Sequence, residues 1–207
     1  MPMENVDRVM SVAEAHKLDK PERLQWLPPD LVLGLLPLRS GMTVADVGAG
    51  TGYFAIPIAR AIACEGKVFA VDLQQEILSL LAIKLLATDA PSNISLVQGS
   101  ADATSLDSES CDLAFLANVW HEVPDHAGAL RELKRILKPG GSLAILDWRT
   151  DVEHPPGPPL EHRIHAEEVR RFIASRSWSC DPPIPVGRYS YIVLCRRGGV
   201  FTRPPVT

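Results

Sequence analysis

The sequence predicts an α/β domain built on a mostly parallel sheet with helices on both faces. Three observations carry this. Near-continuous apolar strands alternate with helical segments, one strand opens into three alternating glycines, and Lys138-Pro139-Gly140-Gly141 ends a helix just before another apolar run. Strands without polar alternation need cover on both faces, which right-handed crossover helices supply. At 207 residues the chain suits one domain with a substantial core.

Residues 1–40 read as a cap. Leu24, Trp26, Leu27 and the run 31–38 are punctuated by Pro21, Pro28, Pro29 and Pro37, which predicts one or two short helices over an edge of the main domain. Residues 43–47 make a buried strand, and 52–63 a helix whose Pro57 is tolerated near the first turn. A second strand follows at 67–72, a helix at 74–88, a third strand at 94–98 and a fourth at 112–118. The helix expected over 125–138 sets Leu130, Leu133 and Leu137 on one face and Arg131, Glu132, Lys134, Arg135 and Lys138 around the other. The Lys-Pro-Gly-Gly run stops it, and 142–148 is the fifth strand. His154-Pro155-Pro156-Gly157-Pro158-Pro159 is too stiff for regular structure and is expected as an ordered excursion above the sheet. Residues 189–196 alternate as an antiparallel strand, so the main domain spans 41–197 and a tail 198–207.

A net charge of −4 offers no global attraction to nucleic acid or an anionic membrane. Cys64, Cys111, Cys180 and Cys195 are scattered, with no CxxC pair or His/Cys cluster. They read as reduced structural thiols, with no metal site and no disulfide framework indicated. The start lacks a basic region followed by an apolar one, and no apolar run reaches about 18 residues, so a cytoplasmic protein without a membrane span is expected.

The segment that carries chemistry is Val44-Ala45-Asp46-Val47-Gly48-Ala49-Gly50-Thr51-Gly52-Tyr53. Glycines are needed where φ turns positive or a ligand meets bare backbone, and the helix beyond presents unpaired N–H groups. A dinucleotide site needs G-x-G-x-x-G, but here Tyr53 stands where that spacing requires the third glycine. Asp46 would repel a pyrophosphate and hold an ammonium. S-adenosylmethionine matches this arrangement: it offers a carboxylate to the amides of Gly48, Ala49, Gly50 and Gly52, an ammonium to Asp46, and no phosphate.

That segment, the acidic strand end at Asp72, Gly99-Ser100-Ala101-Asp102, the strand 111–118 and Leu137-Lys138-Pro139-Gly140-Gly141 together resemble a class I S-adenosylmethionine-dependent methyltransferase. More narrowly, residues 20–196 resemble the small bacterial and archaeal group related to ubiquinone/menaquinone-biosynthesis C-methyltransferases, called type 11. The resemblance implies a Rossmann-like, seven-stranded sheet of order 3-2-1-4-5-7-6 with only the last strand antiparallel. Asp181-Pro182-Pro183-Ile184-Pro185 departs from it as a poor sixth strand, expected to be short or confined to the edge. It also implies that Asp72 takes the ribose hydroxyls, Leu73 packs on adenine, the Ala101 amide and Asp102 meet the adenine edge, and Asn118 lines the methionine part. Tyr53 is expected beside the cofactor. A helix cap at Asp72 and a plain loop aspartate at Asp102 are the alternatives.

Methyl transfer from a sulfonium needs no metal and rests mainly on positioning. A base matters where the acceptor must lose a proton. The candidates are His121 and Glu122 beyond the fourth strand, Asp147 at the end of the fifth, and His162, beside Glu161 and Arg163. Capping or packing competes for His121, and lid anchoring for His162 and Arg163; Trp120 and Trp148 either wall the pocket or pack the core. The expected activity is methyl transfer to a small-molecule acceptor by a monomer or homodimer that does not bind nucleic acid. A macromolecule-directed enzyme and a non-enzymatic cofactor-binding module are the alternatives.

Overall fold

The computed structural model describes residues 12–153 and 156–198. Residues 1–11 of the cap, His154 and Pro155 of the proline-rich stretch, and 199–207 of the tail lie outside the described residues. A 3-10 helix, Val12–Asp19, leads to α1 (Arg23–Trp26) and α2 (Pro29–Leu33). The main domain runs β1 (Thr43–Val47), α3 (Ala55–Ala61), β2 (Lys67–Asp72), α4 (Gln75–Ala87), β3 (Ile94–Gln98), β4 (Cys111–Ala117), α5 (His126–Ile136), β5 (Leu137–Trp148), α6 (Ala166–Ala174), β6 (Trp178–Cys180), β7 (Ile184–Val186) and β8 (Ser190–Arg197).

The sheet order is β3-β2-β1-β4-β5-β8-β6, with β7 also paired to β8. β1 to β5 are parallel and β8 runs antiparallel to its neighbours. The family order is therefore kept, but there are eight strands where seven were expected. Asp181-Pro182-Pro183 splits the sixth: Cys180 faces Cys195, Ile184 faces Ile192, and two prolines without N–H groups stand between.

Alternation along the strands builds two apolar layers. Val44, Val68, Leu113 and Phe115 join Val32, Ile58 and Ile62 on the face covered by α2 and α3. Ala45, Val47, Ala114 and Leu116 join Leu130, Leu133, Val169 and Ile173 of α5 and α6 on the other. Asp46 lies two residues from Val44 and therefore points to the α2–α3 face.

Two sequence expectations need correction. The helix predicted over 125–138 ends at Ile136, and Leu137 already pairs with Cys111. Lys138-Pro139-Gly140-Gly141 then bulges out before Ser142 pairs with Leu113, and the Lys138 ammonium holds the Asp112 carboxylate at 2.9 Å. Cys180 and Cys195, read as thiols, form a disulfide between β6 and β8, while Cys64 and Cys111 are free. The pair is fifteen positions apart, and only the register of β6 against β8 sets them opposite each other. Among the described residues, no helix is long and apolar enough to cross a membrane.

Candidate active site

The turn after β1 shows why it is built of glycine. Gly48, Gly50 and Gly52 have φ of +77°, +55° and +80°, a region costly for residues with a Cβ. A Cβ on Gly48 would stand 2.2 Å from Val119 Cγ2, and one on Gly52 2.5 Å from Leu81 Cδ1. The Gly50 amide donates to Asp72 Oδ2 at 2.9 Å, and the Gln74 amide to Asp72 Oδ1 at 3.0 Å. Asp72 thus holds both the start of α4 and the glycine turn, and its carboxylate has further acceptor capacity for a hydroxyl donor. Leu73 beside it is 55% exposed, an apolar face open to a flat ring. Ala101 is partly buried and Asp102 exposed, its carboxylate accepting the Ser100 hydroxyl at 2.5 Å.

Asp46 is 1% exposed and its Oδ2 has no hydrogen-bond partner. Burial, and then the nearby Asp72 charge, push its pKa up to about 7. Asn118, at the end of β4, holds a left-handed φ of 58° and carries a buried, unpartnered Oδ1. A non-glycine residue in that region marks a site where strain is tolerated.

The cap comes directly over this turn. Leu18 Cδ1 would meet a Cβ on Gly50 at 3.0 Å, and Asp19 accepts from the Thr51 hydroxyl at 3.0 Å and from Lys84 at 2.7 Å. Tyr53 donates its hydroxyl to the Leu27 carbonyl at 2.7 Å and lies under the Arg23 guanidinium, 3.9 Å from Cζ to the ring centroid. Arg23 is 7% exposed, and burial lowers its pKa to about 10.

Beyond β4 and β5 a second polar group forms. His121 Nδ1 meets Asp147 Oδ1 at 2.8 Å, the His121 amide donates to Asp147 Oδ2 at 2.9 Å, and the Trp148 amide donates to Oδ1 at 2.9 Å. With its oxygens accepting throughout, Asp147 places the imidazole proton on Nδ1, so that Nε2 carries the lone pair of the ring and has the chemistry of a base. Glu122 Oε1 stands 3.7 Å from Nε2, and burial raises the Glu122 pKa to about 7. Three of the four residues expected to be catalytic are therefore together. His162 is carried separately, half-buried on the 3-10 helix Leu160–His162. Its neighbour Arg163 anchors that segment through the carbonyls of Pro158, Arg149 and Val152. Trp120 is core, stacked on His126 at 4.4 Å between centroids. Trp148 packs against Trp26 and beneath Gly157, whose Cβ would meet its ring at 2.5 Å.

A Methyltransferase domain family model (Methyltransf_11) matches residues 45–145, the stretch that holds the glycine turn, Asp72 and His121. Over its full length, a solved SAM-dependent methyltransferase from Aquifex aeolicus is 30% identical, with a TM-score of 0.86 and coverage of 91% of this chain and 100% of that one. The chain belongs to the S-adenosylmethionine-dependent methyltransferases. Curated relatives include the ubiquinone/menaquinone biosynthesis C-methyltransferase UbiE of Hahella chejuensis, 33% identical over 54% of this chain and 45% of that protein. Another is the demethylmenaquinone methyltransferase of Staphylococcus aureus, 33% identical over 53% of this chain and 44% of that protein. The match thus spans less than half the length of these curated relatives.

The residues around the glycine turn suit the family's cofactor on charge. The Asp72 charge adds to burial in raising the proton affinity of both Asp46 and Glu122, so a ligand bearing a sulfonium and an ammonium relieves that repulsion, whereas a pyrophosphate would deepen it. The group that sequence reasoning missed is Leu18, Asp19 and Arg23. A signal was present: Arg23 and Leu27 are four apart, which sets a charge on the apolar face of a helical turn, and both are buried.

Proposed function

We propose that the protein transfers a methyl group from S-adenosylmethionine to a small-molecule acceptor that gives up a proton as it reacts. The observation that carries this reading is the His121–Asp147 pair at 2.8 Å, set just beyond the end of β4 and near the end of β5, on the same edge of the sheet as the glycine turn, Asp46 and Asp72. When bound, S-adenosylmethionine supplies a methyl group already activated on sulfonium. The protein's part is to hold and orient the reactants, which can lower the barrier by roughly 7–11 kcal/mol.

In this reading Asp46, Gly48, Ala49, Gly50, Gly52, Tyr53 and Asn118 receive the methionine end, Asp72 the ribose, and Leu73, Ala101 and Asp102 the adenine. His121 Nε2 takes the acceptor proton, and Asp147 stabilises the resulting imidazolium as the third group of a catalytic triad does. Glu122 keeps negative charge near the sulfonium, while His162 lies on the segment that closes the acceptor side. Residues 1–40 serve as the cap, 41–197 as the catalytic domain and 198–207 as a tail. We further propose a cytoplasmic monomer or homodimer that acts without nucleic acid. The curated relatives are named for ubiquinone/menaquinone biosynthesis and for demethylmenaquinone, so quinones and their quinols are the first acceptors to try.

The test incubates the protein with methyl-labelled cofactor and quinol, thiol, amine and metalloid acceptors. Label in a small molecule is expected. Label in protein or nucleic acid, or tight cofactor binding with no transfer to anything, would overturn the reading.

A further inference from the structure

Two opposite charges are buried at the glycine turn without pairing to each other. Asp46 Oδ2 and Arg23 Nε are both buried and lack hydrogen-bond partners, and among the described residues no ion pair joins the two side chains, although each lies in the other's field. An unpaired buried charge is costly, and a flexible arginine would ordinarily swing to relieve it. Arg23 is held back. Its guanidinium lies on the Tyr53 ring, and one terminal nitrogen donates to the Leu18 carbonyl at 3.1 Å. Leu18 in turn lies over Gly50, and Tyr53 is tied to the Leu27 carbonyl.

What satisfies a fixed cation and a fixed anion that do not pair with each other is a zwitterion. We propose that Arg23 and Asp46 form a clamp for the α-amino-acid end of the cofactor, Arg23 taking the carboxylate and Asp46 the ammonium. The proposal rests on the cofactor reading above and adds Arg23 to it. The guanidinium suits this task because its donors are fixed in a planar fork that matches a carboxylate. Because Arg23 belongs to the cap, the carboxylate also ties the cap to the turn, so the protein selects ligands that carry an intact amino-acid group.

The test measures binding by calorimetry, without acceptor, of S-adenosylmethionine and of decarboxylated S-adenosylmethionine, which differ only in the carboxylate. The wild type is expected to prefer the former by about 10- to 100-fold, the range of a charge-assisted hydrogen bond. Arg23→Gln is expected to lose that preference while binding the decarboxylated ligand as the wild type does. A wild type with no preference overturns the proposal without recourse to the variant. So does a variant that keeps the wild-type preference, or one that weakens both ligands equally, which is the mark of a purely structural arginine. A wild type that binds neither ligand sinks the cofactor reading itself, an outcome distinct from failure of the clamp alone.

Discussion

Asp46 makes cofactor affinity depend on pH in a calculable way. In the free protein its carboxyl has a pKa of about 7, raised by burial and then by Asp72. An ammonium is held by the ionised form, so observed affinity follows the ionised fraction, about 0.9 at pH 8 and about 0.09 at pH 6. S-adenosylhomocysteine should therefore bind about tenfold more weakly at pH 6 than at pH 8, a difference of about 1.4 kcal/mol. Calorimetry across that range measures it, and buffers of different ionisation heat should report about one proton released at pH 6. Stability carries the opposite sign. The folded pKa exceeds the unfolded one, so the folded protein keeps a proton that the unfolded chain has lost, and stability falls as pH rises from about 4 to about 7. Asp46→Asn should thus stabilise the protein above pH 7 by on the order of 1–4 kcal/mol while weakening the ligand and flattening its pH profile. Glu122→Gln should leave the Asp46 contribution to that profile in place. An affinity unchanged between pH 6 and 8, or a profile that survives Asp46→Asn, would refute the assignment.

His121→Ala and Asp147→Asn should each lower turnover by about 10²–10⁴-fold and change S-adenosylhomocysteine affinity by less than about threefold; parallel losses in both would make the pair structural. Gly48→Ala puts a Cβ 2.2 Å from Val119 at a φ of +77° and should cost about 1–3 kcal/mol in urea unfolding, with no cost as the contrary result. Denatured but unreduced protein should titrate two thiols, those of Cys64 and Cys111. Four would show Cys180 and Cys195 reduced, and reduction of the native pair should cost about 3 kcal/mol through loop closure.

Legibility from sequence followed the range of the forces involved. β1, β2 and β3 matched their predicted residues because apolar runs bounded by glycine or an acidic end are local signals. The 125–138 helix ran two residues too far because Leu137 continues the helical apolar face, and only pairing with Cys111 claims it for the sheet. The split sixth strand was half visible in its prolines, but that both halves pair with β8 depends on tertiary register. At the site, Asp46, Asp72 and the glycines announced themselves through spacing. His121 and Asp147 were nominated only as strand-end residues, and their contact spans 26 positions that no local pattern links. Arg23 was passed over because a basic residue in a short helix ordinarily faces water, and its burial comes from docking on Tyr53.

Binding at the glycine turn is tested most directly by titrating S-adenosylhomocysteine and NAD into the wild type and Gly50→Val. Gly50 holds a φ of +55° beneath Leu18 and gives its amide to Asp72, so a β-branched residue there should abolish binding of S-adenosylhomocysteine while the far-ultraviolet spectrum stays native. The wild type should bind S-adenosylhomocysteine and not NAD. Equal affinity in wild type and variant, or a preference for NAD, would contradict the assignment.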